Sequence, residues 1–312
     1  MSIGPLPAEV IIREVGLRDG LQSLPIVMPT ERKIQWIGKA YSAGIREIEV
    51  GSMVPASRLA QLADTAALVA YAKGLSNLKT SVLVPNLRGA NDALALRVDS
   101  ILLPLSASHQ HSIANLRRTP DEVVQIMAQM RASRDSMSST CKLEGGVGTA
   151  FGCTLAGAVD PAEVMRLLQS LLDAGADYVS LADTVGYADP ASVARLFEMA
   201  KAKFGNHFRG GHFHDTRGLA LANTLAAMSC GVNVFDASLG GIGGCPHAPG
   251  ASGNSATEDL VFMLQAMGIR TSIDLGELLE LRADLGQWIS GQSTHGALHT
   301  AGLPKQFQGE LV

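Results

Sequence analysis

The sequence predicts an α/β protein, a closed (β/α)8 barrel of the TIM type with additional C-terminal helices. Three observations carry that expectation. Short β-branched runs alternate with longer amphipathic stretches through about eight strand–helix units. Several helices end in a small residue followed by glycine and then a strand: Ser42-Ala43-Gly44, Asp173-Ala174-Gly175 and Ser229-Cys230-Gly231. Glycine there can take the left-handed conformation that closes a helix. Finally, no G-x-G-x-x-G follows the first strand, as an open dinucleotide-binding sheet would want.

Taken in order, residues 10–15 read as the first strand and 30–43 as a helix, with Thr30 as its N-cap. A strand over 45–50 and a helix over 58–73 follow. Next come a strand at 79–84, a helix at 89–96 and a strand at 100–105. A helix at 120–136, a strand at 143–149 and a helix at 161–174 continue the alternation. The second half reads as strand 178–181, helix 190–204, strand 211–214, helix 219–230, strand 232–237 and helix 257–267. Residues 1–272 thus form the catalytic barrel and 273–312 a C-terminal helical extension and tail. Residues 274–290 read as one or two further helices that pack outside the barrel or form a subunit contact, so a homodimer is the expected assembly. The stretch 291–312, rich in Gly, Ser, Thr, Gln and His, is expected to be partly disordered or a lid.

Composition narrows the function. Hydrophobic residues make up 46% and charged residues 17%, ample for a buried core. The net charge of −4 and the absence of a long basic run exclude nucleic acid as the main partner. Arg117–Arg118 and Lys201–Lys203 read as solvated helix ends. The four cysteines, Cys141, Cys153, Cys230 and Cys245, form no C-x-x-C pair, and no signal or transit peptide is recognisable, so a reducing cytoplasm is expected. No apolar run of about 18 residues is present to span a membrane.

In such a barrel the chemistry gathers at the C-terminal ends of the strands. The first strand ends in Glu14-Val15-Gly16-Leu17-Arg18-Asp19-Gly20-Leu21-Gln22. Its Arg–Asp pair is either a loop salt bridge or part of a site. The seventh strand ends in His212-Phe213-His214, and residues two apart on a strand face the same side, so the imidazoles can share a metal ion. The eighth strand leads into the glycine-rich run Gly240–Cys245 and on to Asn254. That loop can cradle a phosphate, but it lacks the P-loop lysine. A mobile catalytic loop carrying Cys245 fits better than a cysteine that merely fills space.

The chain resembles the 3-hydroxy-3-methylglutaryl-CoA lyase family of the DRE-TIM metallolyases. The resemblance rests on VGLRDGLQ at 15–22, IEVGSMV at 48–54, SLADTVG at 180–186, HFHDTRGLALANTLAA at 212–227 and GGIGGCPHAPGASGNSATEDLV at 240–261. The R-D-G and H-x-H elements are shared by the wider superfamily; the GGCP…GASGN…TEDL loop is specific to the lyases. The resemblance implies Asp19, His212, His214 and Asn254 as metal ligands. It implies Arg18 facing the substrate thioester, Glu49 and Asp183 as acidic residues supporting catalysis, and Cys245 transferring a proton. Gln22, Ser52 and Asn115 are implied to line the substrate. Such an oxygen and nitrogen ligand set suits Mg²⁺ or Mn²⁺.

The implied reaction is metal-dependent cleavage of 3-hydroxy-3-methylglutaryl-CoA to acetyl-CoA and acetoacetate, in leucine breakdown. Some positions depart from the family pattern. Leu24 and Pro25 stand where polar or charged residues are expected, the segment Gly51–Ser57 differs, and Glu144 and Gly146 replace an arginine and a tyrosine. These keep a second reading open, cleavage of citramalyl-CoA or of a longer 3-alkyl-3-hydroxyglutaryl-CoA. A condensing synthase would share Arg18, Asp19 and the histidines, but the Cys245 loop argues against it. A non-enzymatic scaffold is the remaining class.

Overall fold

The computed structural model describes residues 5–244 and 253–307. Eight parallel strands close into a barrel in sequence order. They are β1 (Ile11–Glu14), β2 (Glu47–Ser52), β3 (Lys79–Leu83), β4 (Ser100–Ser106), β5 (Lys142–Gly148), β6 (Tyr178–Asp183), β7 (Phe208–Phe213) and β8 (Val234–Ala237). Closure is made by β1 against β8, with Ile11 opposite Val234 and Glu14 opposite Ala237. The expected (β/α)8 barrel is therefore the fold.

Helices wrap the outside: α1 (Thr30–Ser42), α2 (Thr65–Ala72), α3 (Leu87–Ala95), α4 (His109–Leu116), α5 (Pro120–Ser136), α6 (Pro161–Asp173), α7 (Pro190–Phe204), α8 (Ala220–Met228) and α9 (Thr257–Ala266). Two more follow, α10 (Leu275–Trp288) and α11 (Leu298–Ala301). Proline at the first turn with a capping Thr119, Asp160 or Asp189 starts α5, α6 and α7, because proline lacks the N–H that a helix start would leave unpaired. The glycine corners behave as the sequence implies: Gly44, Gly175 and Gly231 all have positive φ. At Gly44 an added Cβ would lie 2.0 Å from the Ser272 carbonyl oxygen, so only glycine fits.

The core lies between strands and helices. Ile48, Val50, Val82, Leu143 and Val179 point outward from the sheet onto Trp36, Ile37, Leu68, Leu167 and Phe197. The barrel interior is different. Arg13, Glu144, Ser180 and Asp236 meet there as a buried polar layer, where branched apolar side chains are the usual filling.

Four expectations need correction. The helix over 58–73 is broken into a short turn at Ala60–Leu62 and α2. The break is pinned to α1, since Lys33 Nζ and Thr30 Oγ1 both donate to the Asp64 carboxylate. Thr30 is accordingly inside α1 and does not cap it; Pro29 holds that position. A further helix, α4, follows β4, started by Ser108, whose hydroxyl accepts from the His111 N–H. The seventh strand begins three residues earlier than expected, at Phe208. Within 274–290, where one or two helices were expected, there is one, α10, which packs against α1 and α9 and so agrees with the expectation.

Candidate active site

The chain leaves β1 in a single π-helical turn, Gly16–Gly20, which aims Arg18 and Asp19 at the barrel mouth. The carbonyl of Val15 accepts from the N–H groups of Arg18, Asp19 and Gly20. Gly16 allows the turn to lie flat in the core: a Cβ there would sit 2.5 Å from Glu14 Oε1 and 2.7 Å from the Trp36 ring. The Glu14 carboxylate holds the turn against the end of β8. Its Oε1 accepts from the N–H groups of Gly16 and Leu239, and its Oε2 accepts from the Thr257 hydroxyl. Burial raises this carboxyl to about 7 despite those donors.

Asp19 meets the two histidines. Its Oδ2 lies 3.7 Å from His214 Nε2 and 3.9 Å from His212 Nε2, and the two imidazole nitrogens are 3.0 Å apart. One ligand atom from each of the three lies within 4.8 Å of the others. Burial opposes the charge on Asp19, but Arg18 and the imidazoles outweigh it and hold the carboxyl at about 2. Burial and the neighbouring His212 lower His214 to about 4, so at neutral pH it is an uncharged donor of a lone pair. For His212, burial is outweighed by Asp236 and Asp19, which raise its pKa.

Asn254 reaches the same point from the far side of the loop after β8. It pairs with His214 in an isolated bridge, and its Nδ2 donates to Asp19 Oδ2 at 2.7 Å and to the Ile242 carbonyl. Its Oδ1 is buried and has no hydrogen-bond partner among the described residues. A half-turn of the amide puts that oxygen beside the Asp19 carboxylate, where two acceptors coexist only with a cation between them. The donor set of one carboxylate, two imidazoles and one amide oxygen therefore fits a divalent ion.

Arg18 is itself held by charge. Its Nε donates to Glu49 Oε2 at 2.6 Å and its Nη1 to Asp19. Glu49, 1% exposed in the middle of β2, has its pKa raised by burial, against the pull of Arg18. Asp183, at the end of β6, accepts from the N–H groups of Tyr187 and Ala188 and so shapes the loop into α7. Neither Glu49 nor Asp183 lines the cavity, whereas Arg18 does.

That cavity, about 1150 Å³, opens above the cluster. Gln22, Leu24, Pro25, Asn115 and Gly146 line it, so most of the sequence-implied substrate positions converge there. Gln22 also donates to Asp19 Oδ1. Ser52 does not line it; its hydroxyl accepts from the Val54 N–H. Glu144, read from the sequence as close to the substrate, is instead turned into the ion-paired layer under the floor. Cys245 lies outside the described residues, although Gly244 before it and Gly253 after the gap both line the cavity. The C-terminal segment contributes Gln292 and His295 to the wall.

Sequence reasoning missed the groups behind His212. Asp236 Oδ2 takes His212 Nδ1 at 3.2 Å, and Arg13 clamps Asp236 and Glu144 together. The signal was present as Arg13 and Asp236 inside otherwise apolar strands, since a buried charge demands a partner.

The model of the HMGL-like family matches residues 9–285. A hydroxymethylglutaryl-CoA lyase of Bacillus subtilis, YngG, is 40% identical over 278 residues, 88% of this chain and 91% of the relative. A cytoplasmic 3-hydroxy-3-methylglutaryl-CoA lyase of Rattus norvegicus is 38% identical, over 89% of this chain and 81% of its own length. Among solved structures, an HMG-CoA lyase of Acinetobacter baumannii in complex with coenzyme A and 3-methylmalate superposes with a TM-score of 0.89 at 36% identity, covering 96% and 97% of the two chains.

Proposed function

The chain belongs to the HMGL-like family, and on that premise we propose that it cleaves 3-hydroxy-3-methylglutaryl-CoA to acetyl-CoA and acetoacetate. The observation that carries the reading is the meeting of Asp19, His212 and His214 at the floor of a cavity large enough for an acyl-CoA. The coenzyme A in the Acinetobacter relative supports the ester class.

Cleavage removes the proton of the C3 hydroxyl, breaks the C2–C3 bond and leaves the thioester half as an enolate, which then takes a proton at carbon. Asp19, His212, His214 and Asn254 are the residues assigned to hold the divalent cation, Mg²⁺ or Mn²⁺. A cation held by these residues would supply Lewis-acid polarisation of the bound substrate. Asp19 and His212 are the two groups assigned to accept the hydroxyl proton: Asp19 is the weaker base because Arg18 and the imidazoles stabilise its charge, while Asp236 raises the proton affinity of His212.

Arg18 is assigned to the thioester oxygen. Nε and Nη1 serve Glu49 and Asp19, which leaves Nη2 to donate to the enolate. A preorganised donor of this kind contributes about 3 kcal/mol. Glu49 fixes the guanidinium and is a positioning residue, as is Asp183 through the loop it ties down. Gln22 and Asn115 border the acyl path, and Cys245 is assigned as the proton donor to the enolate carbon. Ser52 supports the backbone at Val54. We assign residues 1–272 to the catalytic barrel and 273–312 to the extension and tail, and expect a cytoplasmic homodimer acting in leucine breakdown. Among the described residues no helix is long and apolar enough to cross a membrane.

A second reading is favoured by one observation. Leu24, Pro25 and Gly146, the positions that depart from the family pattern, all line the cavity. A different acyl group is then the substrate: citramalyl-CoA, one methylene shorter, or a longer 3-alkyl-3-hydroxyglutaryl-CoA whose bulk the small Gly146 admits. Turnover of each ester by the purified protein with Mg²⁺ separates the two. Acetoacetate from the methylglutaryl ester upholds the first; cleavage of another ester alone rejects it.

A further inference from the structure

The ion-paired layer under the floor points to a role for a residue that the reaction never touches. Glu144 on β5 is 1% exposed and carries a full charge into the barrel. Its Oε2 accepts from Arg13 Nη1 at 2.8 Å, and its Oε1 from Arg13 Nη2 at 3.2 Å and from the Ser180 hydroxyl at 2.7 Å. The same guanidinium donates through Nε and Nη2 to both oxygens of Asp236, at 2.7 and 3.1 Å. Asp236 in turn accepts from His212 Nδ1. Three side chains, from β5, β1 and β8, thus run in series to the imidazole on β7 that faces Asp19 and His214.

Charge explains why the series needs its far end. Asp236 orients His212, directing the Nε2 lone pair toward the cluster, only while it remains a strong acceptor. With Asp236 as its sole partner, Arg13 would cancel that carboxylate's charge as felt at His212 and at the cation site above. Glu144 supplies the missing negative charge. Four carboxylates (Asp19, Glu49, Glu144 and Asp236) then face two guanidiniums (Arg13 and Arg18), leaving two negative charges for a divalent ion and two neutral imidazoles. Arg209, the next cation below, is paired with Glu47 and does not alter this balance.

We propose that Glu144 is a positioning residue for the divalent-cation site, offsetting Arg13 so that the guanidinium does not cancel the negative field of Asp236 at His212 and at the cation site. The inference rests on the metal-site assignment above.

The test is Mn²⁺ affinity of the full chain, measured by calorimetric titration without substrate, alongside a thermal melt. Glu144→Gln keeps the shape and one accepting oxygen but removes the charge, and should weaken Mn²⁺ binding by about tenfold. Adding Arg13→Met removes the cation left uncompensated, and should restore affinity to within about threefold of the native chain. A role in packing alone predicts the reverse, because the second substitution deletes more of the layer. Unchanged affinity in Glu144→Gln, or a double variant as weak as the single, overturns the proposal. Should Glu144→Gln fail to fold, Arg13→Met with Glu144 intact decides: removing the cation alone should tighten Mn²⁺ binding by at least about threefold, and unchanged affinity overturns the proposal. A native chain that binds no Mn²⁺ overturns the metal-site assignment itself, an outcome distinct from either variant result.

Discussion

Replacing Arg18 with methionine separates what this side chain does for the reaction from what it does for Glu49. In the native chain the Arg18 Nε–Glu49 Oε2 contact is 2.6 Å, Glu49 is 1% exposed, and its Oε1 has no other hydrogen-bond partner among the described residues. Arg18→Met therefore strands a whole carboxylate in the barrel. Breaking a buried ion pair by removing one partner costs about 3–5 kcal/mol. Glu49 can escape by taking a proton, and each unit of pKa rise that this requires costs about 1.4 kcal/mol. A loss of about 3 kcal/mol at pH 7 is expected. The sign with pH follows: a carboxyl whose folded pKa lies above its unfolded value is stabilised at low pH, so the deficit should grow from pH 5 to pH 8. Adding Glu49→Gln removes the stranded charge and should return most of the stability. It should not return turnover, which falls about 100-fold with the loss of the thioester donor. Guanidinium unfolding at the two pH values and kcat for 3-hydroxy-3-methylglutaryl-CoA are the assays. A double variant that regains turnover, or a single variant as stable as the native chain at pH 8, refutes the argument.

Other consequences can be measured on the same protein. Glu14 is held at about 7 against an ordinary value of 4.5, so it favours the folded chain below pH 4.5 and that advantage fades as pH rises through 7. Relative to Glu14→Gln, the native chain should lose about 3 kcal/mol of unfolding free energy between pH 4.5 and 8, and parallel curves would contradict this. His214→Ala should abolish stoichiometric metal in elemental analysis, with retained metal counting against its ligand role. Cys245→Ser should lower turnover at least tenfold while leaving Mn²⁺ affinity and the melting temperature unchanged; equal turnover would remove the thiol from the chemistry.

How much of this was legible in the sequence depends on the range of the interaction. The barrel was readable because strand and helix periods and the glycines at 44, 175 and 231 are local features. The meeting of the two imidazoles was readable because His212 and His214 share one strand face, while Asp19 and Asn254 came through the resemblance. The break at Asp64 was not, since it depends on Lys33 and Thr30 of the preceding helix. Nor was the role of Glu144. Its partner Arg13 is 131 positions away, and Arg13 meets Asp236 across 223, contacts that exist only once β1 has closed on β8. A substitution that looks like altered substrate contact in one dimension is, in three, a change of charge beneath the floor. α4 was overlooked because its eight residues are mostly polar and give no strong apolar period.

The pairing of Arg282 with Glu258 has a consequence for how the polypeptide is made. Glu258 is fully buried at the start of α9, where it accepts from Arg282 Nε and from the Gly240 N–H. Gly240 begins the approach to the glycine-rich loop, and the His295 N–H donates to its carbonyl. During translation the seven preceding strands emerge with no β8 to close them, and even after β8 appears its loop stays unbraced until Arg282 leaves the ribosome. A nascent chain of this protein should therefore gain cation binding abruptly and late, and ribosome-arrested intermediates should remain open to protease until that arginine has been added.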